Sequence, residues 1–467
     1  MSAEALDPID AFRSRLGGHG ILTTAEDVAP YESSARHAMG KAYAVLRPGS
    51  EEELAWAIGL ASDMSLPLVV QGAATGLVSA ATPSSDGSQW VLSTQRVRDV
   101  LNVDSVNRSV QVSAGYRLSD VNRVAAESGL TFPIDLGADP TIGGMVATNT
   151  GGARLIRYGG VRENLMDVQA ILFEPAGIRV GGGRALRKDN TGLNWAQLLC
   201  GTFGAFGVVT RATLKLHPIQ RQSATALVAV PDAKAAVKLI CDLEAEFGEL
   251  ISAFEGLSAG ALDAVKLHRK NVPVPFEKTP PYAVLVEVSS AIPPGRGLDL
   301  EAMMMGWLER RMDAGDLDDA VVDKPAQLWR IRHSVSEAVQ SLGRMVAFDL
   351  AVSRSRFNEF REAALQIMAR IVPGAQSCDF GHLGDGGIHL NLVVPPETLP
   401  EAINRLRDGI YDLTVMEFEG SYSAEHGVGP YNESYFRRYA DPQVRQLASL
   451  LKSRFDPHGL LGNVDLT

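Results

Sequence analysis

The residues best placed to do chemistry lie between Gly381 and Asn391, in the stretch GHLGDGGIHLN. It holds two of the chain's nine histidines, His382 and His389, seven residues apart around a glycine-rich turn. That spacing could put both rings on one helix face. However, Gly384, Gly386 and Gly387 oppose a helix, each at a cost of about 1 kcal/mol. A strand, a tight GDGG turn and a return strand is the better expectation, and it can bring both imidazoles to one place. Paired imidazoles suit metal binding or proton transfer. The alternative is two unrelated loop histidines.

Such a turn needs a framework. Residues 1–40 read as amphipathic helix. YAVLRP reads as a strand, and Ser50 opens a helix whose Glu51, Glu52 and Glu53 complement the dipole of its first turn. LPLVVQG is a buried strand followed by the small-residue loop ATGLVSAATP. WVLSTQ, LNVDSVNRSVQVSAG and the helix LSDVNRVAAESG come next, a mixed rather than alternating order of strand and helix. From Asp139 to Gly207 glycine is dense: TIGGMVATNTGG, RYGGVRENL, GIRVGGG, KDNTG and GTFGAFG. Glycine is used where backbone passes close to something or takes positive φ, so this region reads as backbone wrapped round a large ligand, a turn-rich surface being the alternative. Beyond VVTRATLKLHPI the chain is richer in helix and charge (DAKAAVKLICDLEAEFG, LEAMMMGWLERRMDAGDLDD, LWRIRHSVSEAVQSLG, RSRFNEFREAALQIMARI), with strands such as YAVLVEVSS and RMVAFDLAV between, so a domain boundary falls near Ile219. The tail LASLLKSRFDPHGLL reads as a helix and a turn.

At 467 residues the chain is too long for a single core. A formal charge of −11 argues against a nucleic-acid partner, which wants basic patches. Cys200, Cys241 and Cys378 share no CxxC spacing and read as buried thiols of a reducing compartment. The first residues, MSAEALDPIDAFRSRLG, lack the apolar core of a signal peptide. No window approaches the roughly 18 uninterrupted apolar residues of a membrane span. The expected location is cytoplasmic.

Eight motifs in order carry a family resemblance: RPGSEEE, LPLVVQGAATGLV, DPTIGGMVATNTGG, RYGG, KDNTG, GTFGAFGVVT, GHLGDGGIHLN and EHGVG. From about Arg47 to Leu461 the chain resembles the FAD-linked oxidases with a vanillyl-alcohol-oxidase-type flavin domain, and within them the D-2-hydroxyglutarate and D-lactate dehydrogenase branch. The resemblance implies an α+β fold. Residues 1–218 would form a two-lobed FAD-binding (PCMH-type) domain with N-terminal helices over 1–40 and its core over 41–218. Residues 219–420 would form an α+β substrate or cap domain with an antiparallel sheet. Residues 421–467 would be a C-terminal helical return completing the active site.

In this family the loop Gln71, Gly72, Ala73, Ala74, Thr75, Gly76, Leu77 and Val78 cradles the FAD pyrophosphate. Backbone N–H groups at Gly72 and Gly76 and the hydroxyl of Thr75 suit phosphate oxygens. The resemblance adds Asp139, Pro140, Thr141, Gly143, Gly144, Ala147, Thr148, Asn149, Gly151 and Gly152, then Gly207, Val208 and Val209, and Asn463. The loop lacks the histidine or cysteine that some relatives join to the flavin, so FAD is expected to be non-covalent.

The resemblance also makes His382, His389 and Glu425 the ligands of a divalent metal. Two imidazoles and a carboxylate suit zinc, with manganese and iron as alternatives. His426 would be the general base, and Asn391 would reach the substrate carboxylate or hydroxyl. Oxidation of a 2-hydroxy acid removes a proton from oxygen and a hydride from carbon. A metal held by hydroxyl and carboxylate lowers the hydroxyl pKa, histidine takes the proton, and flavin takes the hydride. In LWRIRHSVSEA, Arg332 and Ser336 would meet substrate carboxylates, a solvated helix face being the alternative for Arg332.

Some positions depart from the family. Ala347 stands where the branch has a lysine two residues before an aspartate, here Asp349. Arg344 lies an odd number of residues away, so it would point to the other strand face. The missing cation favours a smaller, less charged or bulkier hydroxy acid. GSEGTLG becomes GTFGAFG, with Phe203 for glutamate and Ala205 for threonine. DPxGxxNPGK becomes DPHGLLGNVD, placing Asn463 one position late. Ala73 replaces a frequent glycine.

The expected enzyme oxidises a D-2-hydroxy acid and passes electrons to an electron-transfer flavoprotein, a quinone or a cytochrome. A homodimer is expected by resemblance alone. The alternatives keep flavin and metal for another secondary alcohol or an aromatic hydroxy acid, or make the chain a flavin subunit of a glycolate-oxidase-like assembly.

Overall fold

The computed structural model describes residues 7–33 and 39–467, so part of the expected N-terminal helical region lies outside the described residues. Among the described residues of that region, α-helices cover Pro8–Leu16 and Ala25–Val28, the second continued by a 3-10 turn over Ala29–Tyr31, with the short strand Ile21–Leu22 between the helices. The chain divides into two compact units. The first comprises residues 7–33, 39–151, 160–219 and 426–467; the second comprises residues 152–159 and 220–425.

The first unit holds two principal sheets. One has four strands in the order Ile21–Leu22, Val45–Leu46, Trp90–Ser93 and Leu68–Gln71, its last three parallel. The helix Glu51–Asp63 covers it, and the Ser50 hydroxyl caps that helix by accepting from Glu53 N–H. Leu54, Ile58, Leu68, Trp90 and Leu461 share the core beneath. The other sheet is antiparallel, in the order Leu101–Asp104, Ser109–Ser113, Val208–Lys215, Leu165–Ile171 and Arg179–Val180. Its core takes Ile142, Met145 and Val146 from the helix Ile142–Thr148, an element hidden in the sequence by Gly143 and Gly144. Phe455, at the end of the C-terminal helix Pro442–Phe455, joins that second core.

The second unit is an eight-stranded antiparallel sheet. Its main path runs Asp319–Asp323, Gln222–Val230, Tyr282–Ser290, Ile251–Ser258, Phe380–Gly381, Gly387–Val393 and Met345–Ala351, with Gln376–Ser377 also pairing Gly387–Val393. Ile251–Ser258 and Tyr282–Ser290 are buried at every residue and Gln222–Val230 from Ala224 onward, so their sequences run largely apolar without strict alternation. The helices Ala259–His268 and Pro325–Gln340 share their apolar faces with this sheet through Leu262, Val265, Leu328, Ile331 and Val335. The fold is thus α+β with an antiparallel sheet in the second unit, as expected. One correction concerns the thiols: Cys200 and Cys378 are buried, but Cys241, on the helix Ala233–Phe247, is exposed. Burial pushes Cys200 up to about 11 and Cys378 to about 12. Among the described residues no helix is long and apolar enough to cross a membrane.

Candidate active site

Phe380–Gly381 and Gly387–Val393 are antiparallel neighbours, with Phe380 opposite His389. The turn between them is tight: a Cβ on Gly386, at φ +88°, would lie 2.1 Å from the Val352 carbonyl oxygen, so only glycine fits. The turn brings the His382 and His389 rings edge to face at 5.2 Å between centroids.

Glu425 arrives from another direction. Residues 421–425 run along the edge of Met345–Ala351, where Ser421 and Ala351 exchange hydrogen bonds of 2.8 and 3.0 Å. At the end of this run Glu425 N–H donates to Asp349 Oδ2 at 2.9 Å. One ligand atom each from His382, His389 and Glu425 falls within 4.8 Å of the other two, a spacing one cation can span. His382 Nε2 is 3.6 Å from Glu425 Oε2. The donor set fits a divalent metal, so the reading as unrelated loop histidines is set aside.

His382 is 8% exposed and its Nδ1 lies 2.7 Å from Glu255 Oε1. Burial pulls its pKa down, but Glu255 and Glu425 outweigh that and hold it well above the usual imidazole value. Burial likewise pushes Glu255 up, yet His382 and Arg332 hold it down at about 2. In Asp385, burial prevails and raises the carboxyl to about 6.

Arg332 is no solvated helix residue. It is buried, its Nε donates to Glu255 Oε2 at 2.6 Å, and its guanidinium lies 4.7 Å from the Phe380 ring centroid. Ser336, one turn on along the same helix face, is half-buried. Across the strand pair Met345–Ala351 and Gly387–Val393, Ala347 faces Asn391 and Asp349 faces His389. Opposed residues and those two apart share a sheet face, so Ala347, Asp349, His389 and Asn391 form one patch. Arg344 is engaged elsewhere, donating to the Thr398 carbonyl at 2.7 Å. His426 follows Glu425 in the chain and begins the last stretch of the first unit.

All the proposed cofactor positions except Gly152, which opens the second unit's segment 152–159, lie in that first unit. The Gln71 side chain is spent on the loop itself, donating to Tyr31 and Ala81 carbonyls at 2.9 and 2.8 Å. Ala74 takes a left-handed φ of 54°. A Cβ on Gly72 would lie 2.2 Å from Thr141 Oγ1, so the loop and the start of the helix Ile142–Thr148 touch here. That Oγ1 is buried and meets no hydrogen-bond partner among the described residues. An orphaned hydroxyl beside a bare glycine loop is what a phosphate-bearing ligand would satisfy, so these residues fit FAD. The Asp139 carboxylate instead accepts from the N–H and hydroxyl of Ser119, at 3.0 and 2.7 Å. Asn149, at the left-handed end of the helix, accepts from Arg162 N–H at 2.9 Å. Thr148 Oγ1 donates to the Gly144 carbonyl. Asn463 donates to the Thr82 carbonyl at 2.7 Å, tying the tail to the end of the loop. Val208 and Val209 pair with Ile171 and Ala170.

Phe203 is itself an outlier, with φ at 55°. Its ring fills the space of a side chain on Gly427, whose Cβ would stand 1.9 Å from Phe203 Cζ. The departure at Phe203 is therefore matched to the glycine of EHGVG.

Sequence reasoning passed over two carboxylates, Glu255 as a site residue and Asp349 as a support for Glu425. The available signal was a lone acid inside an apolar run, in ISAFEGLS and in VAFDLAV.

Residues 219–464 match the family described as FAD linked oxidases, C-terminal domain, and residues 42–179 match the FAD binding domain. The chain is 30% identical over 449 residues to the mitochondrial D-2-hydroxyglutarate dehydrogenase of Bos taurus, covering 94% of this chain and 80% of that protein. It is 31% identical over 429 residues to the D-2-hydroxyglutarate dehydrogenase of Xanthomonas citri pv. viticola, covering 90% and 88%. Among solved structures it is similar to alkyldihydroxyacetonephosphate synthase, with a TM-score of 0.71 at 13% identity over 98% of this chain and 85% of the other. It is similar to p-cresol methylhydroxylase with the same score and identity, over 96% and 94%. At such identity these two likenesses are of fold.

Proposed function

This chain belongs to the FAD-linked oxidases, and on that premise we propose that it oxidises a D-2-hydroxy acid to the 2-oxo acid with the help of a divalent metal. The observation that supports this most is the meeting of His382, His389 and Glu425 within 4.8 Å, beside Arg332 held by Glu255. Residues 1–218 would serve as the FAD-binding domain, 219–420 as the substrate domain and 421–467 as the segment that carries Glu425 and His426 to the site.

Bound FAD, held non-covalently by residues 71–78, 139–141, 143, 144, 147–149, 151, 152, 207–209 and Asn463, would supply a two-electron acceptor for the hydrogen on the substrate carbon. A divalent cation on His382, His389 and Glu425, with zinc the metal that suits them, would supply Lewis acidity that makes an alcohol easier to deprotonate. Arg332 binds the substrate carboxylate through its guanidinium, and Ser336 and Asn391 add hydrogen bonds that fix the carbon's orientation. His426 takes the hydroxyl proton at an imidazole nitrogen. Glu255 and Asp349 hold these groups in register. Electrons leave for an external acceptor, an electron-transfer flavoprotein, quinone or cytochrome.

The relatives are named for a dicarboxylate, D-2-hydroxyglutarate. Ala347 brings no charge to the patch it shares with Asn391, and Arg344 is engaged elsewhere. That favours a hydroxy acid with an uncharged distal end, small or bulky.

The test is anaerobic. Purified yellow protein is mixed with a panel of D- and L-2-hydroxy acids while the flavin's visible band is followed. A D-acid with an uncharged distal end should bleach the band, and a chelator should prevent the bleaching. Bleaching that survives complete metal removal, or no bleaching by any hydroxy acid, would overturn the reading.

A further inference from the structure

Glu255 sits in the middle of Ile251–Ser258, a strand buried at every residue, and is itself 1% exposed. A carboxylate there must be matched by neighbouring charge or donors, because burying it alone costs more than a strand can supply. It is matched twice. Oε1 lies 2.7 Å from His382 Nδ1, and Oε2 accepts from Arg332 Nε at 2.6 Å. No other side-chain hydrogen bond of Arg332 is found among the described residues.

We propose that Glu255 is a positioning residue that locks His382 and Arg332 into one unit, so that the cation site and the carboxylate-binding guanidinium are set by the same side chain. The inference rests on the cation-dependent reading above and adds the device that couples its two halves.

Each half follows from the geometry. Once a cation takes the place of the Nε2 proton, an Nδ1–H donated to Glu255 would leave the Nε2 lone pair for the metal on the side where Glu425 lies 3.6 Å away, and a carboxylate behind the ring would make that lone pair a better ligand. On the arginine side, Nε–H is the donor nearest the stem. Fixing it to Oε2, with Phe380 against the guanidinium face, stops rotation about the Cδ–Nε bond and sets the plane of the terminal nitrogens. The two oxygens belong to one rigid carboxylate, so a shift of Arg332 is felt at His382.

The test reads zinc affinity by competition with a fluorescent chelator on the FAD-loaded full chain, with no turnover required. Glu255→Gln should bind zinc roughly 10–100-fold more weakly than wild type, as expected for loss of a carboxylate behind a ligating histidine. Arg332→Met touches no metal ligand, yet should weaken zinc about threefold or more through the freed Glu255. The double variant should be no weaker than Glu255→Gln alone, because the link is already cut. A merely structural Glu255 would instead give additive losses. Glu255→Asp keeps the charge and the fold but is one methylene too short to reach both partners, and should fall between. The inference is overturned if Glu255→Gln and Glu255→Asp bind zinc like wild type, or if the Arg332→Met penalty persists in full in the double variant. If wild type binds zinc and His389→Ala loses it while the Glu255 variants do not, this inference alone fails. If wild type binds no zinc, the cation reading fails and takes this one with it.

Discussion

Asp349 touches two of the three candidate metal ligands. Its Oδ2 accepts from the backbone N–H of Glu425 at 2.9 Å, and its Oδ1 stands 3.8 Å from His389 Nδ1. A single strand residue thus sets the height at which Glu425 leaves the sheet edge and the carboxylate that His389 faces. Asp349→Asn removes the charge while keeping the shape. Zinc content should fall by about tenfold at limiting metal, with FAD content unchanged. Equal zinc content in the variant would show that Asp349 has no part in holding the ligands.

Ala347 lies in the same patch, opposite Asn391. Ala347→Lys should raise kcat/KM for D-2-hydroxyglutarate by about tenfold, the worth of one charge-assisted hydrogen bond. It should lower it for hydroxy acids with apolar distal ends. Steady-state rates on both substrate types decide this, and an unchanged ratio would remove position 347 from the specificity determinants.

The contact between Gly72 and Thr141 predicts a cofactor defect. Gly72→Ala places a methyl 2.2 Å from Thr141 Oγ1. Overpacking of this kind costs about 1–3 kcal/mol, enough to weaken FAD binding by about tenfold. Gly59→Ala, in the helix Glu51–Asp63 with nothing within 4 Å, is the matched control and should bind FAD as wild type does. The ratio of flavin to protein absorbance after dialysis reads both.

Glu287 anchors a second buried network, accepting from Arg154, from Ser252 Oγ at 2.7 Å and from Trp329 Nε1 at 2.7 Å. Burial raises its pKa, but Arg154 and the hydrogen bonds outweigh this and leave it below 4.5. A carboxyl depressed in the folded state stabilises the fold above its unfolded value, and that contribution is lost as pH falls through the folded value. Stability should therefore decline below about pH 4.5. Glu287→Gln should cost about 2–3 kcal/mol at pH 7, less than the roughly 3–5 kcal/mol of a fully buried pair because Arg154 is partly exposed. It should also flatten the acid decline, as seen by urea unfolding at pH 7 and pH 4 with tryptophan fluorescence.

The histidine pair was legible because a glycine turn between two imidazoles has few other uses, and period-2 reading places His389 and Asn391 on one face. The helix Pro325–Gln340 was legible from its apolar spacing, which also put Arg332 and Ser336 one turn apart. The burial of Arg332 was not, because it depends on Glu255, which is 77 residues away in sequence. Long-range pairings of that kind leave no local pattern; only the oddity of an acid in an apolar strand marks them. The helix Ile142–Thr148 was missed for a different reason. Two glycines oppose it by propensity, and it forms because Ile142, Met145 and Val146 are needed in the core. Cys241 was misjudged because a thiol on an amphipathic helix carries no sign of which side it takes.

The chain changes unit four times, at 151/152, 159/160, 219/220 and 425/426. Residues 152–159 belong to the second unit, where Arg154 meets Glu287 and Arg157 donates to the Ser289 carbonyl at 2.6 Å. The first unit is closed only by the tail, with Leu461 bridging Leu68 and sharing its core. Neither unit is therefore a cassette that could be cut from one gene and spliced into another at a single pair of joints. Nor can a ribosome finish the first before the second, because the first waits for residues 426–467 while the second is begun and ended inside it. Their histories, like their synthesis, are bound to run together.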